Sequence, residues 1–160
     1  MTRLREGTAQ STRPLPDEVA LHEDRKVRPP GPAPAILRTV GALAVLVVGA
    51  VHLEQYFAEH FNVVPIIGPL FVLNFAGATL IGVGLLVPGA RMQLLHGLFA
   101  LGGIGLAGTA FVFLFLSEHQ PLFGFQDYGF RTEIVVALAA EAAAVVTLAA
   151  YLATRVARRG

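Results

Sequence analysis

The sequence predicts an all-α membrane protein, an up-down bundle of four transmembrane helices with both termini cytoplasmic. Three observations predict it. Apolar residues make up 54% of the 160 residues and charged residues only 14%, an oilier balance than a soluble domain carries. The oil is gathered into four runs, at about 36–56, 66–87, 93–116 and 132–153, each near the ~20 residues that cross a ~30 Å hydrocarbon layer. Lipid offers no partner to open backbone groups, so each run is expected to cross as a helix. Arginine and lysine are then distributed unevenly. Seven of the twelve (Arg3, Arg5, Arg13, Arg25, Lys26, Arg28 and Arg38) precede or open the first run, Arg155, Arg158 and Arg159 follow the last, and Arg91 lies between the second and third. Four crossings put these eleven on one side, which the positive-inside rule makes cytoplasmic. Arg131 is the exception, with Asp127 and Glu133 near it in sequence.

Residues 1–35 mix charges with the proline-rich stretch RPPGPAPA and hold too few large apolar side chains to fold alone, so a flexible cytoplasmic tail is expected there. The long basic stretch and the three later spans argue against a cleaved signal peptide. The first span carries His52 and Tyr56 toward its outer end. The second carries Asn74 among Gly77, Ala78, Gly82 and Gly84, and the third is the richest in glycine. The fourth, largely alanine from Ala137 to Ala150, contains Glu141, and residues 154–160 form a basic cytoplasmic tail. Pro65, Pro69, Pro88 and Pro121 fall at or near span ends, where a missing N–H costs least. Small residues permit close backbone approach between membrane helices, and short connections make neighbours antiparallel. The outer loop PLFGFQDYGF, rich in aromatics, is expected in the headgroup layer or folded over the outer mouth of the bundle.

Several chemistries are excluded or weakened. There is no cysteine, hence no disulfide, thiolate nucleophile or Cys-ligated zinc or iron–sulfur site. GIGLAG, Gly103 to Gly108, fits the dinucleotide-binding spacing but lies within a membrane span, not between a strand and a helix N-terminus, so helix packing is the expected role. No serine–histidine–acid set, phosphate loop or basic groove for nucleic acid stands out.

The candidate ligand-binding residues are His52, Tyr56, Asn74, Thr109 and Glu141. Glu141 sits nine residues inside the fourth span, about 13 Å from its outer end at 1.5 Å per residue, and an ionisable group at such depth costs about 2.5–3.5 kcal/mol on insertion scales. Asn74 and Thr109 fall at similar depth, so the three are expected in one layer, with a protonated Glu141 bonded to Asn74 as the structural alternative to proton or cofactor handling. His52 has Tyr56 on its face at i+4 and suits haem, a divalent metal or a quinone carbonyl as partner. A bis-His haem needs a second histidine at matching height, and His96 is near the opposite end of its span. A weaker metal candidate collects His60, His119, Glu118 and Asp127 from the outer loops, with oxygen and nitrogen donors suited to zinc, copper, manganese or iron.

The segments HL…Y…IIGPLFVLN (His52-Leu53, Tyr56, Ile66 to Asn74) and LFGFQDYG (Leu122 to Gly129), with the glutamate in the last span, resemble small, uncharacterised four-span membrane proteins of actinobacteria. The architecture alone is also similar to that of DoxX-type proteins, which transfers no function. The resemblance implies a multi-pass protein of a bacterial plasma membrane and no particular reaction. Three readings follow. With no catalytic set, the leading one is a non-enzymatic accessory or assembly subunit whose partners are the lipid bilayer and other membrane-protein subunits. The alternatives are a redox or ligand-binding module taking haem, quinone or metal in an outward-facing pocket, and a proton or small-solute conduit using Glu141.

Overall fold

A computed structural model describes residues 31–123, 129 and 131–158. The expected tail therefore falls, up to residue 30, outside the described residues. Four long helices, α1 (Ala33–Ala58), α2 (Ile67–Leu86), α3 (Gln93–Ser117) and α4 (Thr132–Ala157), account for most of the described chain, with 3-10 turns at Phe61–Val63 and Ala90–Met92. Each helix is long and apolar enough to cross a membrane. The chain is thus a multi-pass, all-α membrane protein. The helix bounds differ from the apolar runs mainly where a helix outlasts its oil. Pro34 lies in the first turn of α1, where proline's fixed φ suits a helix start, so the helix opens before the apolar run does. The last helix continues to Ala157 because Arg155 packs back along it, its apolar stem lying against the bundle while its head stays polar.

Helix α1 packs closely on α2 and α4, α3 packs on α4, and α2 and α3 pair less closely. The order around the bundle is therefore α1, α2, α3, α4, with each helix antiparallel to the next. One end carries the start of α1 and the end of α4 (the termini end); the other carries the α1–α2 and α3–α4 connections (the loop end). The buried positions of α4 are Ile134, Ala137, Glu141, Ala144, Leu148 and Tyr151, alternately three and four apart, which is one stripe facing the bundle axis.

Small residues set the closeness of approach. At Gly103, in the middle of GIGLAG, a Cβ would stand 2.7 Å from Leu148 Cδ1 and 3.3 Å from both Ile81 and Val45, so one residue from each helix meets in a sealed apolar layer. The glycine motif therefore packs helices. Along the α2–α3 seam the same device is staggered: the Phe99 ring fills the place of a side chain at Gly84, Ile81 covers Gly102, and Leu106 covers Gly77. From Gly77 toward the loop end, that interlocking stops.

Polar bonds tie the two ends. At the termini end His96, buried in α3, donates from Nε2 to Val87 O (2.9 Å), satisfying a carbonyl at the C-terminus of α2 that the helix itself leaves open. Arg38 Nη1 of α1 lies 3.0 Å from His96 Nε2 and 3.2 Å from Nδ1; with Nε2–H donated to Val87 O, Nδ1 is the nitrogen left to accept from it. Arg155 of α4 donates to Gln93 O (2.6 Å) at the start of α3. At the loop end Arg131 pairs with Glu59 across 72 residues of sequence at 2.5 Å, a partner that its sequence neighbours did not suggest. Gly129 N–H donates to Glu118 Oε2 (3.0 Å). Between α2 and α3 the chain turns through Gly89 at φ 139°, a conformation open only to glycine at low cost.

Gly103→Val, which overpacks the sealed layer, is expected to lower unfolding stability in mild detergent by about 1–3 kcal/mol. Gly105→Ala, with nothing within 4 Å of the added Cβ, should leave stability unchanged or raise it by up to ~1 kcal/mol. Chemical or thermal unfolding followed by circular dichroism separates the two.

Candidate functional site: a polar-rimmed cavity at the loop end

Where the α2–α3 interlock ends, the two helices leave a cavity of about 490 Å³, within the 300–1,000 Å³ of small-molecule sites. Its register follows from the seam: with Gly77 opposite Leu106, antiparallel helices put Asn74 opposite Thr109. Both line the cavity, as do His52 and Gln55 from α1 and Ala137 from α4. The wall is otherwise apolar. Leu73 is 65% exposed and Phe113 42%, and both also line the cavity, so its mouth opens sideways between α2 and α3 toward the surrounding hydrocarbon. Phe123, from the first turn of the α3–α4 connection, completes the wall and meets Phe113 edge-on at 6.4 Å. The rest of the aromatic loop, Gly124 to Tyr128 and Phe130, lies outside the described residues.

His52 is oriented by its own helix. Its Nδ1–H donates to Val48 O (2.8 Å), since a carbonyl only accepts, and this fixes the neutral tautomer with a lone pair on Nε2. The imidazole also packs on Phe71 with centroids 5.0 Å apart, and Phe71 stacks on Phe61 at 4.8 Å and 17°. The result is an aromatic floor under the α1–α2 connection. Gly68 allows it, because a Cβ there would lie 2.7 Å from Phe61 O.

The polar inventory is small. Asn74 Oδ1 is buried and accepts no hydrogen bond. Gln55, only 5% exposed, also lines the cavity; its position i+3 from His52 is one turn along α1. Sequence reasoning missed Gln55, because an uncharged amide at the end of an apolar run looks like a boundary. The 3.6-residue period from His52 was the signal that could have found it. Ser117 also reaches the cavity, with its hydroxyl donating to Leu114 O (2.8 Å). Tyr56 is half-buried against Phe57, edge-on at 5.0 Å, and is not among the residues that line the cavity.

Glu141 is wholly buried, and neither carboxyl oxygen has a hydrogen-bond partner. The clasp to Asn74, the structural alternative, is therefore not formed. Ala137, one turn nearer the loop end on the same stripe, lines the cavity, whereas Glu141 faces the bundle axis and does not, although Glu141 and Asn74 each stand seven residues, about 10 Å at 1.5 Å per residue, from the sealed layer of Leu148 and Ile81. Toward the termini end from Glu141 comes Ala144 and then the sealed layer of Leu148, Val45 and Gly103.

The weaker metal candidates separate. His119 donates from Nδ1 to Phe115 O (2.8 Å), Glu118 accepts from Gly129, and His60 is exposed in a left-handed conformation at φ 58°. Asp127 lies outside the described residues. Among the described residues, no group of three or more His, Asp or Glu side chains is placed to hold a metal ion.

A buried polar group without a partner costs about 1–3 kcal/mol. Glu141→Leu is therefore expected to raise the unfolding stability of the detergent-solubilised protein by that order, while Glu141→Gln, still polar, recovers less. A fall in stability with Glu141→Leu would show that the carboxyl finds a partner in the membrane. Comparison with protein families, with curated proteins and with solved structures finds no match to this chain.

Proposed function

We propose that this protein is a membrane-embedded binding module for an apolar molecule with a hydroxyl- or carbonyl-bearing head, the chemistry of an isoprenoid quinone or quinol. The observation that carries this reading is the convergence of His52, Asn74, Thr109 and Gln55 on one cavity whose mouth opens to lipid. A quinone carbonyl needs donors, which the amides of Asn74 and Gln55 and the hydroxyl of Thr109 supply. A quinol hydroxyl needs an acceptor, which His52 Nε2 and Asn74 Oδ1 supply. An apolar wall around a few polar groups is the usual form of such sites, and a lateral mouth admits a ligand that never leaves the hydrocarbon.

The geometry favours this over the other readings. Bis-His haem ligation is disfavoured because His96 is committed to Val87 O and Arg38 at the opposite end. A conduit past Glu141 is disfavoured by the close-packed apolar layer below it, where Val45 and Leu148 are fully buried. Among the described residues, the apolar exposure on all four helices is what lipid contact requires, so it does not by itself favour an accessory role. The arginine distribution supports cytoplasmic termini, which would set the cavity in the outer leaflet of a bacterial plasma membrane.

Native mass spectrometry of the full chain, titrated with decylubiquinone and its quinol, tests the reading. One bound molecule per chain is expected. Gly105→Leu, which fills the cavity from α3, should weaken binding at least tenfold, and Asn74→Leu by about fivefold to tenfold for a lost hydrogen bond. Absence of stoichiometric binding, or binding indifferent to Gly105→Leu, would overturn the proposal.

A further inference from the structure

A second cavity, of about 450 Å³, lies at the termini end, and its chemistry is opposite to that of the first. Arg38 of α1 and Arg155 and Arg158 of α4 converge on it, with His96 and Gln93 of α3 and Tyr151 of α4. No carboxylate is among its described lining residues, and none of the three arginines forms an ion pair among the described residues. We propose that this cavity binds a phosphoryl oxyanion, as presented by an anionic phospholipid headgroup or by free phosphate.

The positive-inside rule accounts for arginines at this end but not for their arrangement. Arginines present only for topology extend separately into the headgroup layer and water. Two of these three are held inward by bonds that leave most of their donors unused. Arg38 uses Nη1 on His96. Arg155 uses Nη1 on Gln93 O (2.6 Å) and Tyr151 Oη (3.1 Å), with its guanidinium 5.6 Å from the Tyr151 ring centroid. Each guanidinium carries five N–H donors in a planar fork, so the pair presents fixed, unspent donors to the space between them. His96 supports Arg38 from within: it is 3% exposed, and its bond to Val87 O fixes the tautomer that leaves Nδ1 to accept from Arg38.

The field at the cavity points the same way. Gln93 opens α3, whose N-terminus carries the positive end of a 25-residue helix dipole. Three guanidinium groups gathered there repel one another and that dipole. An oxyanion relieves both, and bidentate guanidinium–phosphate geometry is the strongest pairing on offer. Basic pockets between membrane helices are known headgroup sites on general electrostatic grounds.

The experiment uses the full chain, delipidated in mild detergent and examined by native mass spectrometry against phosphatidylglycerol, phosphatidylcholine and inorganic phosphate in turn. One phosphatidylglycerol per chain is expected, retained in preference to phosphatidylcholine, with about a fivefold loss of affinity for each arginine removed in Arg38→Gln and Arg158→Gln. Arg158 is exposed at the end of α4, so Arg158→Gln tests the site without disturbing the packing. Retention of inorganic phosphate, and its displacement of the lipid, would support the site with a soluble occupant. Equal retention of both lipids with no phosphate bound, or phosphatidylglycerol binding unchanged in both variants, would overturn the proposal.

Discussion

Close approach between helices, permitted by glycine and alanine, is the constraint on which the rest of this structure depends. In lipid there is no hydrophobic force to press apolar faces together, so contact area has to come from geometry. Leu148 lies against both Gly41 and Gly103, Leu46 fills the space over Gly82, and Ala78 meets Gly49. Each of these contacts replaces lipid with protein at the density of a protein interior. Where the pairing of a small residue with a large one continues, the seam is closed, and where it lapses, space remains.

Along the α2–α3 seam the lapse falls toward the loop end. Between α2 and α3 the interlock runs from Gly84 with Phe99 to Gly77 with Leu106 and then meets Asn74 and Thr109, neither of which fills a gap. Gly105 adds to the opening because nothing stands within 4 Å of its missing side chain. Polar residues thus line the open stretch of the α2–α3 seam, while the sealed layer below is apolar throughout. Glu141 stands above that layer, on the axis-facing stripe of α4 one turn from Ala137, and does not line the cavity. At the other end, the bonds of His96, Arg38 and Arg155 fasten helix termini and gather positive charge in the same act.

Most of the architecture was legible in the sequence, because a membrane imposes a length and a composition that a single chain displays directly. The four spans follow from runs of about 20 apolar residues. The helix ends departed from those runs at Pro34 and Arg155, where local stereochemistry and a long side chain decide instead. The shared height of Asn74 and Thr109 was also legible, since rise per residue gives depth. Direction around each helix was not. Depth grouped Glu141 with Asn74, but the 137–141–144–148 stripe turns Glu141 to the bundle axis and not into the cavity. Depth likewise gave no indication that Gln55 lines His52's cavity, that Arg131 reaches Glu59, or that Arg38 shares a space with Arg155 and Arg158 across most of the chain. These depend on which helices are neighbours, and apolar runs of similar length carry little information about that.

The central claim is that the α2–α3 cavity is open to the bilayer and selects what enters it. Photolabelling in liposomes with a diazirine-bearing quinone analogue, mapped by peptide mass spectrometry, tests it most directly. The account predicts labelling concentrated on Leu70, Leu73, Phe113 and their neighbours at the cavity mouth, suppressed by excess unlabelled quinone. Labels spread evenly over lipid-facing positions such as Leu94, Val146 and Leu80, with no competition, would contradict it.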